Sequence, residues 1–248
     1  MICVPIMAKT AAQARRRVVA AAPLAEVLEL RLDLIVGIGL EELVGAVRDA
    51  RPVKILVTAG RQAAAQAAWE KAGGIQPTAA NVAPLLARAV ALGVDFIDVP
   101  LGTAPEEVAA LRAAAATRGG KTRLIVSHHD FQETPPELEL RGLFHACAVS
   151  ADIVKLVTWA QRPEDNLTLL GIIPYARKHG GEIIAFCMGP LGRLSRIAAP
   201  LLGSYLSFAA LKHGAGSAPG QLTVREMRKM LQLLTDDRQE RQRDAQKT

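Results

Sequence analysis

Lys155 interrupts a short apolar run rich in β-branched residues at positions 152–158, Asp-Ile-Val-Lys-Leu-Val-Thr. A buried strand does not ordinarily contain an ammonium group, because an unpaired charge is costly to remove from water. Two interpretations compete. In one, Lys155 lies at a strand end and reaches water or a carboxylate. In the other, its amine is unprotonated and attacks a ketone to form a Schiff base.

Two adjacent histidines, His128 and His129, end a second apolar run that begins at Arg123. Side chains alternate between the two faces of a strand, so Ser127 and His129 share one face and His128 lies on the other. Neighbouring parallel strands lie about 4.8 Å apart, which allows His129 to approach Lys155 if the two runs are adjacent. A histidine in that place is suited to general acid–base catalysis.

A third run, at positions 28–33, alternates leucine with charged residues as Leu-Glu-Leu-Arg-Leu-Asp. The three leucines share one face, and Glu29, Arg31 and Asp33 share the other. An exposed amphipathic strand has the same alternation. A strand inside a closed barrel has no solvent face, however, so there the leucines face the helices and the charged groups point into the barrel.

Two glycine-containing loops occur late in the chain, at positions 188–196 and 214–221. The first contains Arg196, whose planar guanidinium can bind a carboxylate or phosphate with two parallel hydrogen bonds. The second contains Ser217 and Gln221. The corresponding corner of a (β/α)8 barrel commonly binds an anion. Each loop alone is a weak signal, because glycine and proline turns are common between strands and helices.

These residues lie on strand-like runs that alternate with helical stretches, and eight such alternations in 248 residues predict a single-domain α/β fold, the (β/α)8 TIM barrel. The open doubly wound sheet is the alternative, but no Gly-x-Gly-x-x-Gly turn follows the first strand. Residues 237–248 are predicted to form a charged extension of the last helix. The predicted strands are Ile2–Met7, Val27–Ile35, Val53–Ala59, Phe96–Leu101, Arg123–His129, Ile153–Thr158, Glu182–Met188 and Tyr205–Leu211, and the helices include Ala11–Ala22, Ala80–Leu92, Glu106–Thr117, Pro136–Val149 and Glu164–His179.

Composition narrows the class of protein. The net charge is +6, but aromatic residues make up only 4% of the chain and do not interleave with arginine clusters, which argues against nucleic-acid binding. A modest positive field favours a small anionic ligand. Cys3, Cys147 and Cys187 have no disulfide or metal-ligand spacing, and no apolar run reaches transmembrane length. We therefore expect a cytoplasmic protein without a metal or membrane partner.

Together, these segments resemble the type I 3-dehydroquinate dehydratases, the Schiff-base-forming enzymes of the shikimate pathway. The resemblance implies a (β/α)8 barrel, usually a homodimer. It also implies dehydration of 3-dehydroquinate to 3-dehydroshikimate without metal or cofactor. The segments that carry the resemblance lie in the family's order at positions 29–33, 127–131, 155–157, 188–196 and 217–221.

The resemblance also assigns roles to individual residues. Lys155 matches the imine-forming lysine, and His129 matches the general acid and base. The residues matched to substrate binding are Arg196, Ser217 and Gln221 around the substrate carboxylate, and Glu29, Arg31 and Arg61 around the ring hydroxyls. Arg31, Arg61 or Arg196 is expected to help keep Lys155 unprotonated.

Two positions depart from the family pattern. The family has a glutamate four residues after the arginine that ends strand three, whereas Ala65 follows Arg61 at that spacing. Either a longer loop returns Glu70 to the site, or Glu70 is a solvated residue of a plain helix. Strand four of the family ends Asp-x-Glu, but here Pro100 follows Asp98 at the position of the glutamate. The polar support of His129 is therefore the open question.

Two other functions compete with the dehydratase. A class I aldolase is also a barrel with an imine-forming lysine on strand six, and it would use the Arg196 loop to bind a phosphate. A catalytically silent barrel that binds metabolites is suggested by the departures at Ala65 and Pro100. The Ser-Ala-Pro-Gly-Gln segment at positions 217–221 and the retention of Lys155 with His129 favour the dehydratase.

Overall fold

A computed structural model of the protein describes residues 1–59, 82–117 and 119–245, and from residue 236 onward only the backbone. Eight parallel strands form the predicted TIM barrel, in the spatial order β8, β1, β2, β3, β4, β5, β6, β7. The Tyr205 amide, just before β8, donates to the Ile183 carbonyl on β7 at 2.7 Å and so draws the two ends of the sheet together. The strands are β1 Ile2–Ala8, β2 Val27–Ile35, β3 Lys54–Thr58, β4 Phe96–Pro100, β5 Arg123–His129, β6 Ile153–Trp159, β7 Ile183–Met188 and β8 Ser207–Phe208.

Helices follow the strands and cover the outside of the barrel. None of the described helices is both long and apolar enough to cross a membrane. They are α1 Ala11–Ala21, α2 Leu40–Ala50, α3 Val82–Ala91, α4 Pro105–Thr117, α5 Glu137–Ala148, α6 Asp165–Leu170, α7 Ile172–Lys178, α8 Arg193–Leu202 and α9 Val224–Ala245.

Two predicted elements differ from those in the structure. The single helix predicted at Glu164–His179 is two helices, α6 and α7, which meet at Gly171. Pro174 lacks the N–H that would bond the Leu170 carbonyl in a continuous helix. The last strand is only two residues long, because beyond it the chain makes just one isolated parallel bridge, between Ala210 and Thr223.

The strand alternation divides the core into two layers. Leu28 and Leu30, both fully buried, pack in the cluster between the sheet and the helices. Val27 belongs instead to a separate apolar cluster inside the barrel, with Phe96, Ile125 and other inward-facing residues. The prediction that the leucines of β2 face the helices is therefore confirmed. The inner cluster forms the floor on which the polar groups nearer the carboxyl ends of the strands lie.

Candidate active site

A cavity of about 570 Å³ opens at the carboxyl ends of the barrel strands. Its wall combines charged groups with aromatic rings, chiefly Phe186, Phe208 and Trp159. Arg61, Ala65 and Glu70 lie outside the described residues, so the interpretation of the departure at Ala65 stays a prediction. The other predicted site residues all line this cavity: Glu29, Arg31, His129, Lys155, Arg196, Ser217 and Gln221.

Lys155 points into the cavity from the middle of β6 and is only 5% exposed. Its Nζ donates to Asp98 Oδ2 at 2.8 Å and lies 3.8 Å from Glu29 Oε1. The ammonium also lies 4.7 Å from the centre of the Phe208 ring. The lysine therefore neither reaches bulk water nor stands unpaired, because two carboxylates compensate its charge inside the barrel.

These carboxylates correct one expectation. Burial by itself lowers the pKa of Lys155, but the attraction of Asp98 and Glu29 outweighs burial and raises the pKa above its ordinary value. Arg31 opposes them only weakly. Arg31 does lower the pKa of Lys155, as predicted, but it does not outweigh the two carboxylates, and Arg61 lies outside the described residues. The amine must lose a proton before it can act as a nucleophile.

Asp98 is the site residue that the sequence analysis did not assign. It lies on β4 with the same parity as Phe96, whose ring belongs to the inner cluster, and its carboxylate is 4% exposed. The same feature that singled out Lys155, a charged residue within an otherwise apolar strand, could have identified Asp98 as a site residue. Asp98 Oδ1 is buried without a hydrogen-bond partner in the described part of the chain, which leaves it free to accept a proton.

His129 ends β5, and its imidazole stacks on Phe131 with ring centres 5.9 Å apart. Burial, followed by the charge of Lys155, lowers the pKa of His129 to about 3. The ring is therefore neutral at physiological pH and able to accept a proton. Among the residues that the structure describes, no side chain or backbone group hydrogen-bonds this imidazole.

His128 also lines the cavity, although alternation places it on the opposite face from His129. The expectation that only one histidine of the pair faces the site is therefore wrong. His128 is the second-last residue of β5, where the cavity opens, so its ring can reach the cavity rim from the outer face of the strand. The charge of His128 helps to lower the pKa of His129.

Arg31 is held by Asp33, two residues further along β2. The Arg31 Nε donates to Asp33 Oδ1 at 2.7 Å, and Nη2 donates to the other carboxylate oxygen. Burial lowers the pKa of Arg31, but the Asp33 hydrogen bond and the nearby carboxylates outweigh it and raise the pKa. The cavity wall therefore keeps a fixed cation beside Glu29.

Arg196 lies on α8, and its side chain is fully buried. The guanidinium carbon lies 4.4 Å from the centre of the Phe186 ring, and Nη2 makes a long hydrogen bond of 3.4 Å to the Pro219 carbonyl. Within the described chain, Nε and Nη1 have no partner. Burial lowers the pKa of Arg196 to about 10. A desolvated guanidinium with unfilled donors is suited to bind a carboxylate or phosphate.

Ser217 and Gln221 complete the same corner of the cavity. The Gln221 Oε1 accepts from the Ser217 amide at 2.9 Å, and Gln221 Nε2 donates to Ser217 Oγ at 3.2 Å. This pair of bonds closes the loop between β8 and α9 into a compact turn. Both side chains line the same cavity as Arg196, which donates through Nη2 to the Pro219 carbonyl of this loop.

The ion pair between Lys155 and Asp98 predicts a pH effect. Asp98→Asn removes the larger of the two attractions that raise the pKa of Lys155, so that pKa should fall. The imine predicted for Lys155 can form only from the unprotonated amine, so the pH profile of its formation should move toward lower pH. The shift of this pH profile is measured from the rate at which borohydride traps the imine on Lys155 at a series of pH values. Asp95→Asn, at the opposite end of the barrel, is the matched control, and an unmoved profile in Asp98→Asn would contradict the assignment.

Comparison with known proteins adds to this geometry. The profile of the family described as type I 3-dehydroquinase matches residues 2–238. The 3-dehydroquinate dehydratase of Methanococcus maripaludis strain C6 is 32% identical over 235 residues, covering 94% of this chain and 100% of that protein. The enzyme of the same name from Methanopyrus kandleri is 32% identical over 210 residues, covering 85% of this chain and 88% of that protein.

Solved structures agree with the sequence relatives. The 3-dehydroquinate dehydratase of Geobacillus kaustophilus superposes with a TM-score of 0.81 at 28% identity, covering 95% of this chain and 91% of that one. The type I enzyme of Clostridium difficile, solved with covalently modified comenic acid, gives a TM-score of 0.78 at 26% identity, covering 95% and 92%. Fold and sequence thus point to the same group of proteins.

Proposed function

Because the chain belongs to the type I 3-dehydroquinase family, we propose that it dehydrates 3-dehydroquinate to 3-dehydroshikimate through an imine on Lys155, with His129 as general acid and base. One observation carries the proposal. A buried lysine, a neutral histidine and a buried arginine with unfilled donors line a single cavity. In a ketone that bears a carboxylate and a β-hydroxyl group, the carbonyl can react with the lysine, the β-hydroxyl can take a proton from the histidine, and the carboxylate can bind the arginine.

Imine formation begins with loss of a proton from the Lys155 ammonium. Asp98 Oδ2 accepts a hydrogen bond from Lys155 Nζ at 2.8 Å, so this carboxylate is placed to take the proton. Burial raises the pKa of the nearby Glu29 carboxyl, so Glu29 can also hold one. The free amine adds to the ketone carbon, and the carbonyl oxygen leaves as water. The resulting iminium keeps a positive charge between the two acids.

The iminium withdraws electrons from the neighbouring carbon and makes its C–H acidic. Neutral His129 removes that proton, and the electron pair enters the enamine. The imidazolium then donates the proton to the β-hydroxyl group, which departs as water when the enamine electrons return. Because burial lowers the pKa of His129, its imidazolium is more acidic than one in water and readily returns the proton in this second step. Hydrolysis of the unsaturated imine releases the product and restores Lys155.

Substrate orientation comes from the two polar corners of the cavity. Arg196, with Ser217 and Gln221, binds the substrate carboxylate. On the other side, Glu29 and Arg31 bind the ring hydroxyls, and we assign Arg61 to the same group by family resemblance. Family resemblance likewise leads us to propose that the protein is a cytoplasmic homodimer. Light scattering of the purified protein tests its oligomeric state.

Turnover of 3-dehydroquinate tests the proposed function. The product contains a conjugated enone, so ultraviolet absorbance should rise when the purified protein meets the substrate, and a chelator should not change the rate. A class I aldolase would instead cleave a phosphorylated hydroxyketone. A silent barrel would convert neither compound. Absence of enone absorbance at high protein concentration would contradict the dehydratase.

A further inference from the structure

The side chain of Asn166 is buried between two loops behind the Arg196 corner of the cavity and is 1% exposed. Its Nδ2 donates to the Leu191 carbonyl at 2.8 Å and to the Pro163 carbonyl at 2.9 Å. Its Oδ1 accepts from the Ser195 amide at 3.1 Å. One amide therefore joins the loop after β6 to the loop after β7, with both of its N–H donors in use.

The hydrogen bond from the Ser195 amide to Asn166 Oδ1 replaces an N-cap interaction that α8 lacks. The N-cap of α8 is Gly192, which has no side chain to accept from the first-turn amides. A Cβ at this position would lie 2.4 Å from the Met188 carbonyl oxygen and 2.6 Å from that of Cys187, so only glycine fits. Asn166, in the first turn of α6, supplies the acceptor that the missing cap side chain would have provided.

Ser195 ties the same turn to the barrel. Its Oγ accepts from the Cys187 amide on β7 at 2.8 Å and donates to the Gly192 carbonyl at 2.7 Å. The first turn of α8 is thus bonded to β7 on one side and to Asn166 on the other. Both contacts are buried, so water does not replace them readily.

The position of the Arg196 side chain depends on the first turn of α8, because its guanidinium makes few contacts of its own. The guanidinium makes one long hydrogen bond and rests on Phe186, and its other buried donors have no partner in the described residues. Its direction is therefore set mainly by the backbone of α8. Binding groups need to be held within about 0.5 Å of their working geometry. We propose that Asn166 is a positioning residue that holds Arg196 for the substrate carboxylate; this inference rests on the proposed function.

The test compares 3-dehydroquinate with its methyl ester, which keeps the ketone and hydroxyls but lacks the negative charge. Wild type should prefer the acid, and Arg196→Lys should lose most of that preference, since lysine lacks the planar two-pronged contact. Asn166→Ala should reduce the ratio of the two kcat/KM values by about 10-fold, the effect of one misplaced charge-assisted hydrogen bond. The loss should appear in the KM for the acid, with kcat and the ester rate little changed.

Two further variants keep this test informative if Asn166→Ala folds poorly. Asn166→Asp retains an acceptor for the Ser195 amide but loses both donors, so it should restore part of the preference for the acid. Ser204→Ala is the matched control. Its hydroxyl also bridges two buried backbone groups, Ala185 N at 3.3 Å and Leu206 O at 3.1 Å, but it lies beyond the C-terminal end of α8 and makes no contact with the first turn. Its acid-to-ester ratio should equal that of wild type.

The outcomes separate the two proposals. An active wild type, with equal losses on acid and ester in Asn166→Ala and Asn166→Asp, would overturn the role of Asn166 alone. So would a matching fall in the ratio in Ser204→Ala, because it would reveal a general effect of lost stability. A wild type that converts neither compound would contradict the dehydratase function, and the inference about Asn166 with it.

Discussion

Lys155→Met should abolish turnover of 3-dehydroquinate, because methionine cannot form an imine. Methionine keeps most of the lysine volume and removes the charge. Borohydride added with substrate should inactivate wild type and add ligand mass to the peptide that contains Lys155. The variant should trap nothing. Lys54→Met is the matched control, since Lys54 lies at the opposite end of the barrel, 5.7 Å from the Phe96 ring. Label on another lysine would refute the assignment.

The same variant has a stability effect that the ion pairs explain. Removing the ammonium leaves Asp98 and Glu29 buried without their cation, which typically costs about 3–5 kcal/mol. Burial already raises the pKa of the Glu29 carboxyl, and loss of the attraction of Lys155 should raise that pKa further above its value in the unfolded state. The folded protein then binds more protons than the unfolded protein, so the variant should gain stability as pH falls toward the raised pKa of Glu29. Lys155→Met combined with Asp98→Asn should recover stability at neutral pH and remain inactive.

His129→Ala should separate imine formation from proton transfer. The variant should still trap substrate on Lys155, yet lose turnover by about 10²–10⁴-fold, the usual contribution of general acid–base catalysis. The pH dependence of trapping should match that of wild type, because it follows the pKa of Lys155. Stopped-flow absorbance measures turnover, and mass spectrometry after borohydride measures trapping.

His128→Ala is the matched control for this experiment. Both histidines line the cavity, but His129 shares the inward face of β5 with Ser127, whereas His128 shares the outer face with Val126, which packs in the cluster between the sheet and the helices. His128→Ala should therefore lose much less activity. If it loses more than His129→Ala, the base is His128. If His129→Ala also fails to trap substrate, His129 acts before the imine forms.

The sequence by itself determined the order of the barrel elements and the direction in which most site residues point. Both follow from local geometry, since β/α alternation is visible as hydrophobic period and side chains alternate along a strand. Parity placed Glu29 and Arg31 inside the barrel and Leu28 outside, and the structure confirms this. Family resemblance added roles that local geometry cannot supply.

Only the tertiary structure decided the charge state of the site. Lys155 and Asp98 are 57 residues apart, and their contact exists because the barrel places β4 and β6 on either side of β5, so that both side chains point into one cavity. Parity marks an inward charge but does not identify its partner, so the raised pKa of Lys155 was not predictable. Asn166 was missed for the same reason. Its hydrogen bond to the first turn of α8 depends on the distance between the segments that follow β6 and β7. The packing of the barrel sets this distance, and local sequence patterns do not predict it.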